Sequence, residues 1–333
     1  MPSRLNSRRH FLQALPALGL AHALPAASEP TAAPWPGERA VRVIVPASAG
    51  GSLDTLMRPL AQAMTQLSGG KFVIENQGGA AGMLGAATVA RAEPDGHTLL
   101  AGGVHHMIIP VAYAKVPYDT ARDLNPVALI ATVPNVVLVR SSSPIKSIAE
   151  LIAAGKTSAN GLNYGTGGQG GLHHLSAEHF RKITGTPMQA VHYKGSAPAI
   201  ADLLGGQIDL MFETMPNALS QVRAGTLRAL AVTSAERSDQ LPDTPTLAEA
   251  GVPGLVVTTW YGIFSPAKLE PARQAAIKQL IDSALASASL QKVWHEYGAR
   301  VDGPGARDFR AFTQSELRHW ADVSRQIGFK PAQ

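Results

Sequence analysis

From Val41 onward the chain alternates short β-rich runs with helix-patterned ones, and Gly-rich stretches join several of the pairs. This alternation constrains the fold most, because a strand returning parallel to its neighbour needs a long crossover, usually a helix. Val41–Val45 (VRVIV) predicts a strand closed by Pro46, and Leu53, Leu56, Met57, Leu60, Met64 and Leu67 then recur at helical spacing. Further strands are expected at 72–74, 98–101, 136–139, 162–164, 188–192, 208–212 and 228–232, with helical patterns between most of them. Ser147-Ile148-Ala149-Glu150 has the capping-box form that opens a helix. Past Pro242, Pro245 and Pro253, two short strands are expected near 256–259 and 262–265, then long helices over 271–288 and 306–327. The pattern predicts an α/β protein with two doubly wound parallel sheets, one in each of two lobes, helices covering both faces.

The 333 residues, 45% of them hydrophobic, suffice for two domains with real cores. Cysteine is absent, which excludes disulfides, Fe–S clusters, thiolate zinc sites and a Cys nucleophile. The formal charge of +5 comes largely from Arg4, Arg8 and Arg9, which precede the first acidic residue, Glu29; the rest of the chain stands at +2. No block of five like charges occurs, so nucleic acid is not an expected partner.

The chain begins with an address. Ser7-Arg8-Arg9-His10-Phe11-Leu12 precedes a weakly apolar run from Ala14 to Ala27 and then polar Ser28-Glu29. A basic start, a short apolar middle and a small-residue end form an export signal, too short to span a bilayer and interrupted by Pro16 and Pro25. The arginine pair resembles twin-arginine leaders, with Gln13 where that pattern often has Lys. Residues 1–27 are therefore expected to be an export signal to the periplasm, and 28–40 a linker.

Three loops after strands share one design: Pro46-Ala47-Ser48-Ala49-Gly50-Gly51-Ser52-Leu53-Asp54, Asn76-Gln77-Gly78-Gly79-Ala80-Ala81-Gly82 and Tyr164-Gly165-Thr166-Gly167-Gly168-Gln169-Gly170-Gly171. Each runs from the carboxyl end of a strand into a helix start, where unpaired N–H groups and the positive dipole end favour an anion. Glycine there serves either a tight turn or close backbone approach to a ligand. The same positions are where open α/β sheets bind ligands.

Enzyme signatures are scarce. Gly165-x-Gly167-x-x-Gly170 matches the dinucleotide fingerprint, but Ala190–Tyr193 supply no acidic residue at the required distance. Gly70-Lys71 is followed by Phe72, not Ser or Thr, so no phosphate loop forms. Ser143-x-x-Lys146 sits in a polar turn before Pro144. His105-His106 and His173-His174 are adjacent pairs that do not converge as metal ligands, although one imidazole near a Gly-rich loop is placed to donate to a carboxylate. Asp54 and Glu213 lie near strand ends, with helix capping the competing role for Asp54. No catalytic residue, cofactor or metal is expected.

Several segments in order give the chain a family resemblance. They are Pro46…Gly50-Gly51-Ser52-Leu53-Asp54 with Arg58, Glu75-Asn76 through Gly85-Ala86, Pro94-Asp95-Gly96-His97-Thr98-Leu99-Leu100 and Tyr164–Gly170 with His174-Leu175. Tyr193-Lys194-Gly195-Ser196-Ala197-Pro198-Ala199, Asp202–Asp209, Leu227–Thr233 and Leu241–Thr246 complete the set. Together they resemble the extracytoplasmic solute receptors of tripartite tricarboxylate transporters, the Bug proteins, from about Val41 to Phe329. The resemblance implies a type II, Venus-flytrap periplasmic binding protein whose chain crosses between lobes twice. It implies lobe 1 at 41–140 and 260–333 and lobe 2 at 141–259. It also implies a monomer that holds a small organic carboxylate and delivers it to integral-membrane permease subunits; presentation to a signalling partner is the alternative. The expected ligand residues are Ala47, Ser48, Gly50, Gly51, Ser52, Asp54 and His105 from lobe 1, and Thr166, Gly167, Gly168, Gln169, Gly170 and Glu213 from lobe 2. Ala47 stands where the family usually has Phe, Leu53 a small hydroxyl residue, His97 Tyr and Glu213 Asp, departures that bear on which carboxylate fits.

Overall fold

The computed structural model describes residues 35–301 and 308–332. The expected export signal lies outside the described residues, as does most of the linker.

Nine strands and eleven α-helices alternate along the described chain. The first part runs β1 (Val41–Val45), α1 (Ser52–Ser68), β2 (Phe72–Asn76), α2 (Met83–Ala90), β3 (Thr98–Gly103), α3 (Val104–Ala112), α4 (Thr120–Asp123) and β4 (Leu124–Arg140). The middle runs α5 (Ile148–Thr157), β5 (Leu162–Thr166), α6 (Leu172–Thr184), β6 (Met188–His192), α7 (Ser196–Gly205), β7 (Leu210–Thr214), α8 (Met215–Arg223) and β8 (Leu227–Val232). The last part is β9 (Thr258–Pro266), α9 (Pro271–Leu285), α10 (Ala288–Glu296) and α11 (Phe309–Ile327). A 3-10 turn at Ala80–Gly82 precedes α2.

Two sheets share β4. The first has the order β2-β1-β3-β9-β4, and the second continues β4-β7-β5-β6 with β8 on the other side of β4. Neither sheet is wholly parallel, contrary to the expectation from alternation alone. In the first, β9 runs antiparallel to both β3 and β4; in the second, β4 runs antiparallel to β7 and β8. The reason is connectivity: β4 and β9 carry the chain from one sheet to the other, so each enters its second sheet against the direction of the resident strands.

This fixes where the site must be. β4 leaves the first sheet in the direction of β1 and β3 and enters the second antiparallel to β7. The carboxyl ends of β1–β3 therefore face the carboxyl ends of β5–β8 across the crossing strands, the position where α/β sheets hold ligands.

β4 is 17 residues long, whereas only 136–139 was expected as strand. Pro126 and Pro134 obscure it, because proline is normally confined to strand edges and bulges. The ladder accommodates Pro126 at a register shift, and Pro134 is the last residue paired with β9 before Asn135 pairs with β7. Residues 136–140, expected in the first lobe, thus pair in the second sheet. The two strands expected near 256–259 and 262–265 are one, β9, through Trp260 and Tyr261. The helix expected over 271–288 ends at Leu285, and a separate α10 follows.

Three apolar clusters follow from this layering. On one face of the first sheet, Leu56, Leu60 and Met64 of α1 meet Ile277 and Ile281 of α9 and Trp294 of α10. Val136, Leu138 and Met211 carry Leu203 of α7 and Leu219 of α8 on one face of the second. The remaining faces share one core, in which Trp260, Phe264 and Phe309 are continuous with Tyr164, Phe180 and Phe212. Leu67, expected on the apolar stripe of α1, is instead 53% exposed.

Candidate functional site

The first loop is held by Asp54. Its side chain, 2% exposed in the first turn of α1, accepts the Gly50 N–H at 2.9 Å and both arms of Arg58 at 2.9 and 2.8 Å. Asn76 at the end of β2 donates to the same carboxylate and to Ala47 O. Burial opposes the charge on Asp54, yet Arg58, the Gly50 N–H and Asn76 together hold its pKa below the ordinary aspartate value.

The second loop carries backbone strain. Ala80 (φ 46°) and Ala81 (φ 55°) occupy the left-handed region, and Gly82 follows at φ 91°. For alanine that conformation costs about 1–2 kcal/mol per residue, so packing must impose it. Packing on both sides is tight: a Cβ on Gly82 would stand 3.2 Å from Pro46 O and 3.3 Å from the His105 ring, and one on Gly78 3.4 Å from the Ala47 backbone.

In the second lobe, Thr166 Oγ1 accepts the Gly168 N–H at 3.1 Å and donates to Gly168 O at 2.9 Å. Gly195 N–H donates to Gly167 O at 3.0 Å, which draws the α7 start against the loop. Gly170 N–H donates to His174 Nδ1 at 2.9 Å.

These loops surround a cavity of about 730 Å³. Pro46–Ser48 after β1, Gly78–Gly82 after β2, Val104 and His105 after β3, Gly167–His174 after β5, Tyr193–Gly195 after β6 and Thr214 at the end of β7 line it, with Thr259 and Tyr261 of β9 between. That is the junction of carboxyl ends the topology requires. Gly171, Gly195 and Thr214 are the N-caps of α6, α7 and α8, and none gives its helix a side-chain cap. Away from the lining, α4, α5 and α11 are capped by Asp119, Ser147 and Asp308, while α1, α9 and α10 have no side-chain cap, so it is the convergence of three uncapped starts on one cavity that marks the site. Uncapped N–H groups converging on one cavity make an anion site.

Of the expected ligand residues, Ala47, Ser48, His105 and Thr166–Gly170 line this cavity. Gly50, Gly51, Ser52, Asp54 and Glu213 stand outside its lining. Asp54 is spent on the loop staple. Ser52 reaches Thr214 Oγ1 of the other lobe at 2.6 Å, and Glu213, 1% exposed, accepts from the Thr214 N–H and hydroxyl and from Asn217. Gly78–Gly82 belong to the second of the three expected anion loops, though not to the expected ligand residues; sequence reasoning missed Tyr193–Gly195 and Thr214 as lining residues, and the available signal was their place at or just after the strands meeting at the junction.

Further contacts cross between lobes. Tyr113 Oη donates to Gln169 O at 2.6 Å, and Gly170 lies so close to Ala112 that a Cβ there would meet it at 2.7 Å. At the crossing strands, Asn135 Oδ1 accepts from Thr259 Oγ1 at 2.7 Å and faces His173 Nε2 at 3.3 Å. Burial pushes His105 and His174 down to about 4, His192 adding to the effect on His174. His173 is also lowered by burial, against the opposing pull of Glu213. Among the described residues no three His, Asp or Glu side chains are placed to hold a metal ion, and no helix is long and apolar enough to cross a membrane.

Two sheets joined by crossing strands, with uncapped helix starts around the cavity between them, define an α/β solute-binding protein with two lobes. The chain belongs to the tripartite tricarboxylate transporter family receptors, whose family model matches residues 56–329. It is 32% identical over 321 residues to protein BugT of Bordetella pertussis (strain Tohama I), covering 95% of this chain and 98% of that one. Its structure is similar to that of R. palustris Rpa4515 with adipate, with TM-score 0.84, 34% identity, and 90% and 100% of the two chains covered. It is also similar to the periplasmic binding protein BugD, with TM-score 0.82, 32% identity, and coverage of 89% and 99%. The family is one of transport receptors rather than enzymes.

Proposed function

We propose that this protein captures a small organic carboxylate between its lobes in the periplasm and delivers it to the integral-membrane permease of a tripartite tricarboxylate transporter. The carrying observation is the convergence of the uncapped α6, α7 and α8 starts with Gly78–Gly82 around a cavity lined by no Asp or Glu. Backbone N–H donors suit a carboxylate, since charge-assisted bonds contribute about 1.5–3 kcal/mol each. The related receptor that holds adipate supports this ligand class.

Residues 1–27 act as a twin-arginine-like export signal and 28–40 as a linker. The lobes divide on β4 near Asn135 and at the start of β9, and they close around the ligand as a monomer. Ser52, Asp54, Gly50, Gly51 and Glu213 shape the walls, while Ala47, Ser48, His105 and Thr166–Gly170 meet the ligand or its water.

Calorimetric titration with adipate and a panel of mono-, di- and tricarboxylates tests the reading. Binding by at least one, lost in Gly167→Val, is expected, because a side chain there would press on Gly195 and Ser196 at 3.3 Å. Undiminished binding by that variant places the site elsewhere. Co-purification with the permease subunits tests the partner.

A further inference from the structure

The cavity lining offers almost no fixed positive charge for an anion. Among the described lining residues the one Lys or Arg is Lys194, which is exposed. The other titratable lining groups are Tyr113, Tyr193 and Tyr261 and the imidazoles of His105, His173 and His174. The three imidazoles differ in what they have left to offer. His174 Nδ1 accepts the Gly170 N–H at 2.9 Å, so protonation there breaks a bond that shapes the loop. His173 Nε2 faces Asn135 Oδ1, whose identity as an acceptor is set because Asn135 Nδ2 donates to Val257 O. His105 makes no hydrogen bond to any described residue, and neither of its nitrogens is sealed from solvent.

The surroundings of His105 are charge-poor. On its own helix the His106 ring lies 3.9 Å away, with Nδ1 accepting from the Gly103 N–H. Gly82 of the strained loop and Gly103 at the end of β3 pack on it with no side chain. Tyr261 stands on β9, and His173, His174, Tyr193 and Lys194 line the same cavity from the second lobe. Two carboxylates stand behind the lining: Glu213, which acts on His173 and Tyr261, and Asp54, which is engaged by Arg58 and Asn76.

We propose that His105 meets the ligand's carboxylate as an imidazolium, taking a proton from solvent so that one hydrogen ion enters with each ligand. This rests on the carboxylate-receptor reading above and adds how the charge is met. The balance is simple: neutral imidazole, carboxylate and a solvent proton become an imidazolium–carboxylate pair, with nothing oxidised and no other bond broken. The geometry favours this because a neutral pair enters a cavity where an unpaired anion is costly. Burial holds the unliganded ring at about 4, so it is neutral at ordinary pH. A carboxylate alongside favours the charged form and lifts the ring's pKa by roughly 1–3.

The linkage has a definite sign. Below about 4 the ring is charged with or without ligand and adds no pH dependence of its own, while protonation of the ligand's carboxyl groups weakens binding. Between that value and the higher value of the liganded ring, affinity falls by up to about tenfold per pH unit as pH rises. Above the liganded value it is flat again.

The test is calorimetry at about pH 5.5, above the pKa of the free ring and within the range a carboxylate neighbour gives it, in two buffers of different ionisation enthalpy. Adipate and the tightest binder of the carboxylate panel are the probes. The buffer dependence of the enthalpy counts net protons exchanged, and the native protein is expected to take up about 0.2–0.9 more per ligand than a variant without the imidazole, in which the ligand's own carboxyl protons are counted alike. His105→Asn, with His105→Gln as a second variant, keeps a polar group and is expected to bind about tenfold more weakly, with the imidazole's share of the uptake gone and only the ligand's own carboxyl titration left in the pH profile. Tight binding with no more uptake in the native protein than in the two variants overturns the proposal and leaves the receptor reading intact. Failure of every carboxylate to bind overturns the receptor reading and this proposal with it.

Discussion

Ser52 Oγ lies 2.6 Å from Thr214 Oγ1, a buried bond between residues 162 positions apart that ties the start of α1 to the end of β7. Thr214 gives its hydroxyl proton to Glu213 Oε1 at 2.9 Å, so Ser52 is the donor and the lobes are joined by a chain ending on a carboxylate. Ser52→Ala removes about 1 kcal/mol of this tie. The expected result is a shift of about fivefold toward the open form, read by small-angle scattering with and without ligand.

Gly170 separates closure from folding. Its φ of +72° costs an alanine about 1 kcal/mol in any state of the lobes. The approach of Ala112 to within 2.7 Å of an added Cβ exists only while the lobes are together. Gly170→Ala should therefore weaken ligand binding by about tenfold or more while lowering the melting temperature only slightly, as titration and thermal unfolding would show.

Asp54→Asn should destabilise the protein by about 1–3 kcal/mol, because the Gly50 N–H, Arg58 and Asn76 all converge on its charge. The native aspartate has a lowered pKa in the folded state. Its contribution is complete at neutral pH and is lost as pH falls through that lowered value. Chemical denaturation against pH should show the native and variant curves far apart at neutrality and converging in acid.

Ala81→Gly tests the strain in the second loop. Glycine reaches a φ of 55° without the steric cost, but has more freedom to lose on folding. A gain of up to about 1 kcal/mol is the expected balance, measured by denaturant unfolding. If activity in ligand capture also drops, the strained backbone is positioning N–H groups and not merely turning the chain.

The fold was legible wherever a segment had one role. Val41–Val45 and Met188–His192 are strands with the bounds their composition suggests. The crossing strands were harder. Pro126 and Pro134 hide a 17-residue strand, because bulges and a change of partner absorb the two missing N–H groups. In α3, Pro110 and the His105-His106 pair mask a nine-residue helix whose first turn lines the cavity. The glycine loops announced the site, but not which of their residues face it. Asp54 and Ser52 carry the chemistry of a ligand group; Arg58 stands one helical turn from Asp54, but only the distant partners Asn76 and Thr214 show the two side chains spent. Nothing local to Tyr193–Gly195 or Tyr261 distinguishes a cleft wall from a core.

Because residues 124–134 of β4 complete one sheet and 135–140 sit between β7 and β8 in the other, no cut in this strand yields two self-sufficient pieces. A piece ending within β4 lacks β9, the strand between β3 and β4, while the piece that follows carries β9 without its partner β3, and both expose a raw ladder to aggregation. The receptor must therefore be synthesised and matured as a unit, and rearranging its chain order would have to open it in a surface connection far from that shared strand.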